Sequence, residues 1–499
     1  MKTFKYILIL CVAGTVNMKA QNFIDAFRYS QNLYMGTGRS SAMGSAFGCM
    51  GGDFSSISIN PGGLGVYRAS EFSFTPGMLY NKANAGYLGS NASDFNNKVN
   101  FNNVGYVYTN MTGSSDGLVS ISFATGYNRL NDFNQNVSVR GENLTSSISD
   151  MFMTYANGYT PDYLHSYYER LAFDTYVIDT VPGTVDQYTT PVELTNKQSY
   201  KSSSYGRKGE WVFALGANIS NKLYLGASFG YESILYKNTY DYTETNTNPN
   251  PAWGFVDMKY HGDLTSSGSG WNCKLGAIFK PVKFLRIGLA VHTPTVYHFT
   301  DLYDARMTSN IYDVNGVLQN YEAYPTDIDG YRLQAQETSY KLKTPLKAIL
   351  SAGMTIGKFA SASVEAEYVD YKTMRFTSID YDYEAENTDI ADLMKPIVNL
   401  RAGGEIKLGS IYLRAGAGYY PSPFNTAVRF QDDMFSGSLG FGYRTDNFFI
   451  DLAYTSYFYQ QNKFLYDVEA SQAQYYGAPS PAAIHYNNNR LIATFGFRF

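Results

Sequence analysis

Apolar and polar residues alternate along most of the chain after residue 70. Trp211, Phe213 and Leu215 occupy every second position of one stretch, with Val212 and Ala214 between them. Side chains two positions apart project from the same face of a strand, so this alternation predicts strands with two unlike faces. Periodicity alone does not separate a soluble sandwich from a membrane barrel.

The alternation defines about fourteen strands. They fall at 70–80, 99–110, 117–129, 205–219, 222–239, 269–280, 283–297, 337–357, 359–375, 396–408, 411–420, 433–444, 447–460 and 488–499.

The connections between these strands alternate in length. Long connections such as 81–98 and 130–204 are each followed by short ones such as Ser220–Asn221 and Gly409–Ser410. Short periplasmic turns and long external loops are typical of transmembrane barrels. The sequence therefore predicts an all-β fold, a transmembrane antiparallel β-barrel over residues 70–499 with both termini on the short-turn side.

Both ends of the chain carry features of an exported protein. Residues 1–20 combine Lys2 and Lys5 with an apolar run and small residues up to Ala20, the layout of a cleavable signal peptide. The last strand ends on Phe499, which resembles the signal that the barrel-assembly machinery recognises. No later run approaches the roughly 18 apolar residues of a membrane helix, so a chain that spans a membrane must close as a barrel.

These signals predict an outer-membrane protein of a Gram-negative bacterium. We expect the barrel-assembly machinery as a partner during biogenesis, and outer-membrane lipid and lipopolysaccharide as partners afterwards.

Composition excludes several other functions. The formal net charge is -4, and no Lys/Arg stripe is present, which argues against nucleic acid as a partner. The five histidines are scattered, and no motif of a metalloprotease or serine hydrolase occurs, so we expect no enzyme, cofactor or metal. Cys49 and Cys273 are expected to be small buried thiols. The acidic stretch 380–386 predicts a solvated external loop, with calcium ligands as the alternative.

Residues 21–69 do not alternate and are rich in Gly, Ser and Ala. They therefore cannot be membrane strands. Side chains fill the interior of an eight-stranded barrel, whereas sixteen strands leave an aqueous channel, so a barrel of intermediate size needs a filling. We predict that residues 21–69 form a compact N-terminal plug in the lumen.

The plug sequence resembles a known family. Gly36–Phe47, Gly52–Asp53 and Asn60–Leu64 look like the hatch of the FadL/TodX transporters of long-chain fatty acids and aromatic hydrocarbons. Gly62 stands where that family usually has Ala. Three further segments match its Pro-bearing strand ends, namely His292–Pro294, Leu342–Pro345 and Tyr420–Pro423.

The resemblance implies roles for three groups of residues. A hatch turn at Asn60, Pro61, Gly62 and Gly63 would lie against the barrel wall and open the passage when it moves, although an ordinary tight turn is the alternative. The start of the plug would line the substrate pocket, with Phe23, Ile24, Phe27 and Tyr34 as candidates. Helices within 144–172 would capture substrate outside, or would simply pack against other loops, and the candidates there are Met151, Phe152, Met153 and Tyr155.

Charged residues also occur at lumen-facing positions of the predicted strands. We expect most of them to pair with one another, because an unpaired buried charge is costly. The alternative is that one or two arginines or lysines meet a substrate carboxylate. The charged positions are Arg286, Glu365, Glu367, Arg401, Glu405, Arg414, Arg444, Asp451, Arg490 and Arg498.

Together these features predict passive transport of a hydrophobic small-molecule ligand, such as a long-chain fatty acid, through a plugged barrel. The competing interpretation is a surface protein with an adhesive, haem-binding or secretion-associated role. In that case long loops such as 130–204 would be its functional surface.

Overall fold

The structure is a computed structural model of the chain. It describes residues 22–143, 145–194, 196–250, 254–425, 428, 430–466 and 480–499. The predicted signal peptide lies outside the described residues.

The chain folds into a closed antiparallel barrel of 14 strands, as the alternation predicts. Some of the 14 barrel strands are divided into two consecutive segments with separate labels. β5 and β6 form a separate hairpin in an external loop. The last strand pairs with the first over a register from Glu71↔Arg498 to Gly86↔Ala483, which closes the ring. The strands are β1 Glu71–Tyr87, β2 Ser90–Met111, β3 Leu118–Asp132, β4 Gln135–Asn143, β5 Asp179–Thr180, β6 Tyr188–Thr189, β7 Asn196–Ile219, β8 Leu223–Asn246, β9 Gly254–Val282, β10 Leu285–His292, β11 Val296–Tyr312, β12 Leu318–Ala323, β13 Gln336–Lys343, β14 Lys347–Ile356, β15 Ala360–Asp370, β16 Arg375–Thr377, β17 Pro396–Leu408, β18 Ile411–Tyr420, β19 Met434–Arg444, β20 Phe448–Lys463 and β21 Ala482–Arg498.

The helices lie before the barrel and in its external loops. Helices in the predicted range 144–172 are confirmed. None of the described helices is long and apolar enough to cross a membrane. The α-helices are α1 Phe23–Ser30, α2 Gly38–Ala42, α3 Ile148–Ala156, α4 Glu169–Asp174 and α5 Glu384–Leu393, and the 3-10 helices are η1 Phe54–Ser58, η2 Pro61–Val66, η3 Pro161–Tyr163 and η4 Tyr371–Thr373.

Several strands differ from their predicted bounds. Some extend further on the external side, so that β7 begins at Asn196 and not at 205, because the outward residues there are polar and no longer alternate in hydropathy. The predicted strand 337–357 is interrupted between β13 and β14. Pro345 lies in this gap and Pro294 lies in the gap between β10 and β11, since proline cannot donate a ladder hydrogen bond.

The outward face of the barrel is apolar over a band near the periplasmic turns. On β7 the outward residues run from Ile219 to Trp211, and Leu215 is 60% exposed. Arg207, Tyr205 and Ser203 follow on the same face. An apolar outer band about 25 Å tall, bordered by aromatic residues, marks the hydrocarbon region of a transmembrane barrel.

The two cysteines of the described residues occupy different environments. Cys49 is buried, but Cys273 is exposed on the outward face of β9. The expectation of two buried thiols was therefore wrong for Cys273, because a small apolar residue satisfies the lipid-facing pattern as well as a core.

The outer band gives a first prediction. Leu215→Arg should lower the free energy of unfolding by about 2–4 kcal/mol, because it places a guanidinium near the middle of the apolar band. Ser203→Arg, on the same face of β7 but beyond the band, should change it little. Urea unfolding in lipid vesicles measures both, and equal effects would contradict this position of the membrane.

Candidate functional site

The N-terminal segment, residues 22–70, runs inside the ring of strands. Its 3-10 helix η2 packs against β7, β8 and β9, whereas α2 packs against β18 to β21 on another side of the ring. Between them, the main-chain nitrogen of Gly48 reaches Glu365 on β15. The segment therefore touches the inner wall in several directions, and nearly all of its residues are buried.

The predicted hatch turn lies directly on the wall. Asn60 caps η2, because its side-chain oxygen accepts from the nitrogen of Gly62 at 2.9 Å, and Pro61 stands at the first helical position. The Asn60 amide donates to the carbonyl of Gly48 at 2.6 Å and to that of Ala277 on β9 at 3.1 Å. One side chain thus shapes the turn and ties it to the barrel.

Two glycines of the wall permit this close approach. A Cβ atom at Gly226 of β8 would collide with the backbone of Pro61, and one at Gly276 of β9 would collide with the side chain of Asn60. The Asn-Pro turn and the small residues opposite it form one fitted contact.

Three of the four predicted pocket residues lie together. Phe23, Ile24 and Phe27 of α1 pack into an aromatic cluster inside the external half of the barrel. The ring of Phe27 makes edge contacts with Tyr371 at 5.2 Å and Phe424 at 5.4 Å. We call this the lumen aromatic cluster, and its other members include Tyr29, Tyr236, Tyr297, Phe299, Tyr340, Phe376 and Met394.

Tyr34 lies apart from that cluster. Its hydroxyl donates to Glu367 at 2.9 Å, and its ring packs with Met43 and Phe47 deeper in the lumen. The structure therefore separates Tyr34 from the other three pocket candidates.

Two lysines hold the end of α1. Lys208 Nζ donates to the carbonyl of Tyr29 at 2.9 Å, and Lys347 Nζ donates to the carbonyl of Ser30 at 3.2 Å. Lys208 pairs with Glu232 at 3.3 Å. No carboxylate of the described residues lies within 4.0 Å of Lys347 Nζ. These two lysines were missing from the predicted lumen charges, although both stand at inward positions of alternating strands.

The predicted pairing of lumen charges is confirmed. Arg401 bonds to Glu365 at 2.6 Å and to Glu367 at 3.0 Å, and Arg414 bonds to Glu405 and Asp451 at 2.6 Å each. The N-terminal segment joins these pairs: Arg39 reaches Glu405 at 3.1 Å and the nitrogen of Gly48 donates to Glu365 at 2.6 Å. Wall carboxylates thus serve both an arginine of the wall and the N-terminal segment.

The backbone pairing of the barrel wall is interrupted between β2 and β3. The ladder between β2 and β3 ends at Asn103↔Asn128, and beyond it the described part of β4 pairs with β7. We call this interruption the seam. Side chains bridge it, for example Arg129 Nε to the carbonyl of Phe101 at 3.1 Å and Asn96 to Asn136 at 3.1 Å.

The N-terminal segment supplies backbone hydrogen bonds at the seam. The nitrogen of Leu33 donates to the carbonyl of Leu130 at 2.7 Å, and the nitrogen of Met35 donates to that of Arg129 at 3.0 Å. Leu130 is bulged out of the β3 ladder with β7. The seam was not predicted from the sequence, because alternation persists through β3. The only available signal was the run of asparagines near it, whose side chains can replace backbone pairing.

The external loops form their own core over the barrel mouth. Met151, Phe152 and Met153 are buried in it, and Tyr155 packs against its edge. This placement fits packing between loops, and substrate capture by these residues stays a prediction. In the acidic stretch 380–386, α5 begins at Glu384, and no group of metal-binding side chains is present among the described residues.

A buried carboxylate fixes the first loop helix. Glu244, near the external end of β8, accepts from the Ser147 hydroxyl at 2.6 Å and from the Ile148 nitrogen at 3.0 Å. Asp150 completes a capping box with Ser147. Both carboxyls lie beyond the apolar band. Burial raises the pKa of Asp150 to about 6 and also raises the pKa of Glu244.

The barrel fold that positions these contacts is similar to that of known structures. A closed barrel with an apolar outer band and a polar, filled interior is a transmembrane protein of the outer membrane. A FadL homologue of Pseudomonas aeruginosa is similar in structure, with a TM-score of 0.52 and 14% identity over 94% of this chain and 98% of that one. The toluene transporter TodX of P. putida matches with a TM-score of 0.50 and 11% identity over 94% of this chain and 99% of that one. No protein-family model and no curated protein sequence matches the chain. The chain thus shares its fold with the FadL homologue and with TodX.

The fitted turn gives a second prediction. Gly226→Ala should displace η2 from the wall, because the added methyl meets the backbone of Pro61. Hydrogen exchange of residues 60–66 should then become faster. Gly437→Ala, whose added methyl meets nothing within 4 Å, is the matched control. Equal protection in both variants would show that the turn does not depend on this contact.

The loop carboxyls give a third prediction. The folded-state pKa of Asp150 is about 6, above the ordinary value of an aspartate, so ionisation of this carboxyl destabilises the folded loop. The stability is therefore greatest at low pH and is lost as the pH rises through about 6. Lowering the pH from about 7 to about 5 should increase protection of α3, after correction for intrinsic exchange rates.

Two variants isolate the origin of this pH effect. D150N/E244Q should abolish it, whereas Asp162→Asn, an exposed carboxyl in η3, should leave it unchanged. A pH dependence that survives in D150N/E244Q would assign the effect to other groups.

Proposed function

We propose that the protein carries hydrophobic molecules with an anionic head, such as long-chain fatty acids, passively across the outer membrane. The supporting observation is the environment of α1. Its apolar side chains occupy the lumen aromatic cluster, while Lys208 and Lys347 bind the carbonyl oxygens at its end. An apolar tail with a carboxylate head has the same two needs, so α1 occupies the space that such a ligand would take.

The contacts of the N-terminal segment suggest how a ligand would pass. A ligand that enters the aromatic cluster displaces α1, and the chain after α1 carries the two hydrogen bonds that complete the wall at the seam. Loss of those bonds leaves the carbonyl oxygens of Arg129 and Leu130 on β3 without these partners at the seam. The exit in this proposal is therefore lateral, through the seam, and the turn at Asn60–Gly63 acts as the fixed end of the hatch.

One structural neighbour agrees with this proposal in general terms, because TodX of P. putida is a toluene transporter. Uptake of labelled oleate by cells with and without the gene tests transport itself. Equal uptake by cells that contain the assembled barrel and by cells that lack it would overturn the transport proposal. It would favour the external loops as the functional surface.

A fourth prediction concerns the head group. Lys347→Gln should reduce oleate binding and uptake by about tenfold, because a charge-assisted hydrogen bond is worth roughly 1.5–3 kcal/mol. Uptake of uncharged toluene should be unaffected. Lys341→Gln, an exposed lysine on β13, is the control. Equal loss for oleate and toluene would mean that Lys347 only supports the fold.

A fifth prediction concerns the seam. In a background with Cys49 and Cys273 replaced by Ala, a disulfide in L33C/L130C should block uptake until a reductant is added, because it locks the segment to β3. A control disulfide in T300C/S339C joins two permanently paired strands and should leave uptake normal. Normal flux through the oxidised L33C/L130C protein would contradict gating at the seam.

A further inference from the structure

A polar groove lies on the outer surface of the barrel, away from the lumen. It has a volume of about 590 Å³ and crosses β21, β1, β2 and β4 near their external ends. Its polar lining side chains are Asn84, Asn91, Ser93, Ser138, Arg140 and His485. None of the described residues that line it is an Asp or a Glu.

The groove lies just beyond the lipid-facing band. Outward residues of β1 are apolar from Phe72 to Tyr80, after which Lys82 and Asn84 follow on the same face. Because the long connections are external, this height corresponds to the head groups of the outer leaflet. The groove thus faces the lipid surface and not the aqueous solution above the loops.

Three cations lie in the groove or next to residues that line it. Arg140 lines it, Lys82 precedes Asn84 on the outward face of β1, and Lys201 is the direct strand partner of Ser138. All three side chains are exposed, and no described carboxylate lies within 4.0 Å of their charged atoms. The nearest acid on β4, Glu142, pairs instead with Lys197 at 3.8 Å.

We propose that this groove binds the phosphorylated sugar head group of an outer-leaflet glycolipid, the lipid A portion of lipopolysaccharide. Phosphate oxygens accept charge-assisted hydrogen bonds from Arg140, Lys82 and Lys201. The amides and hydroxyls of Asn84, Asn91, Ser93 and Ser138 both donate and accept, as sugar hydroxyls require. Acyl chains of the same molecule extend along the apolar band below. The proposal depends on the orientation in the outer membrane and not on transport.

Binding of defined lipids to the purified full-length protein in detergent tests the proposal, with native mass spectrometry as the readout. The probes are bisphosphorylated lipid A, the same lipid A after removal of its phosphates, and phosphatidylglycerol. We expect lipid A to bind at least about tenfold more tightly than either of the others, given the strength of charge-assisted hydrogen bonds. Equal binding of dephosphorylated lipid A would overturn the role of phosphate, and equal binding of phosphatidylglycerol would overturn the role of the sugar.

Charge-matched variants locate the site. K82Q/R140Q/K201Q should lose at least about tenfold in affinity for bisphosphorylated lipid A. K237Q/K341Q/K343Q removes the same charge from exposed lysines on other strands and should keep the affinity of the unmodified protein. Heat-dependent migration of the folded barrel on electrophoresis verifies that both variants fold. Equal losses in the two variants would reduce the interaction to general charge attraction and overturn the proposal.

Discussion

Every backbone polar group within a lipid bilayer must find its partner inside the protein, because hydrocarbon offers none. Pairing of β21 with β1 meets this requirement for the ring as a whole. The seam does not meet it through strand pairing. There the N-terminal segment donates from Leu33 and Met35 to β3, and asparagine side chains bridge the remaining distance. Wall and N-terminal segment are therefore one hydrogen-bonded unit.

The charges of the lumen determine how firmly that unit is held. Glu365 and Glu405 accept hydrogen bonds from the N-terminal segment, but each also bonds to an arginine of the wall. If the segment moves away, these carboxylates keep Arg401 and Arg414 as partners. Removing one partner of an isolated buried pair would leave an uncompensated charge at high cost. Because these carboxylates keep a second partner, that cost is reduced. The hydrogen bonds therefore stabilise the bound segment without making its departure prohibitively costly.

The sequence predicts the barrel well because its membrane environment acts on every second residue. The strand count and the pairing of lumen charges follow from that regularity. The predicted long connection 81–98 was wrong, because β1 and β2 continue through most of it and only Leu88 and Gly89 lie between them. The ends of strands such as β7 were less predictable. Beyond the lipid the outward residues are polar, so hydropathy no longer alternates along the strand. Pro345 is evident in the sequence, but the predicted strand 337–357 ran through it, whereas the structure has a break between β13 and β14 there.

The site was only partly predictable for a different reason. Phe23, Ile24 and Phe27 are neighbours along one helix, so their joint position follows from local spacing. Tyr34 is directed elsewhere by its bond to Glu367, more than three hundred residues away in the chain. Lys208, Lys347 and the seam likewise depend on contacts between distant strands, which a single sequence does not encode in any local pattern.

The attachment of α1 has a consequence for selectivity. Because α1 is tethered to the barrel, it competes for the aromatic cluster at an effective concentration far above that of any solute outside. A solute that satisfies the aromatic side chains alone, or the lysines alone, competes poorly with an occupant that satisfies both. The observed affinity for a transported molecule would then be its intrinsic affinity multiplied by the fraction of time that α1 is displaced. In the proposed function, this internal competition would keep the permeability barrier intact while the barrel stands in the membrane unoccupied.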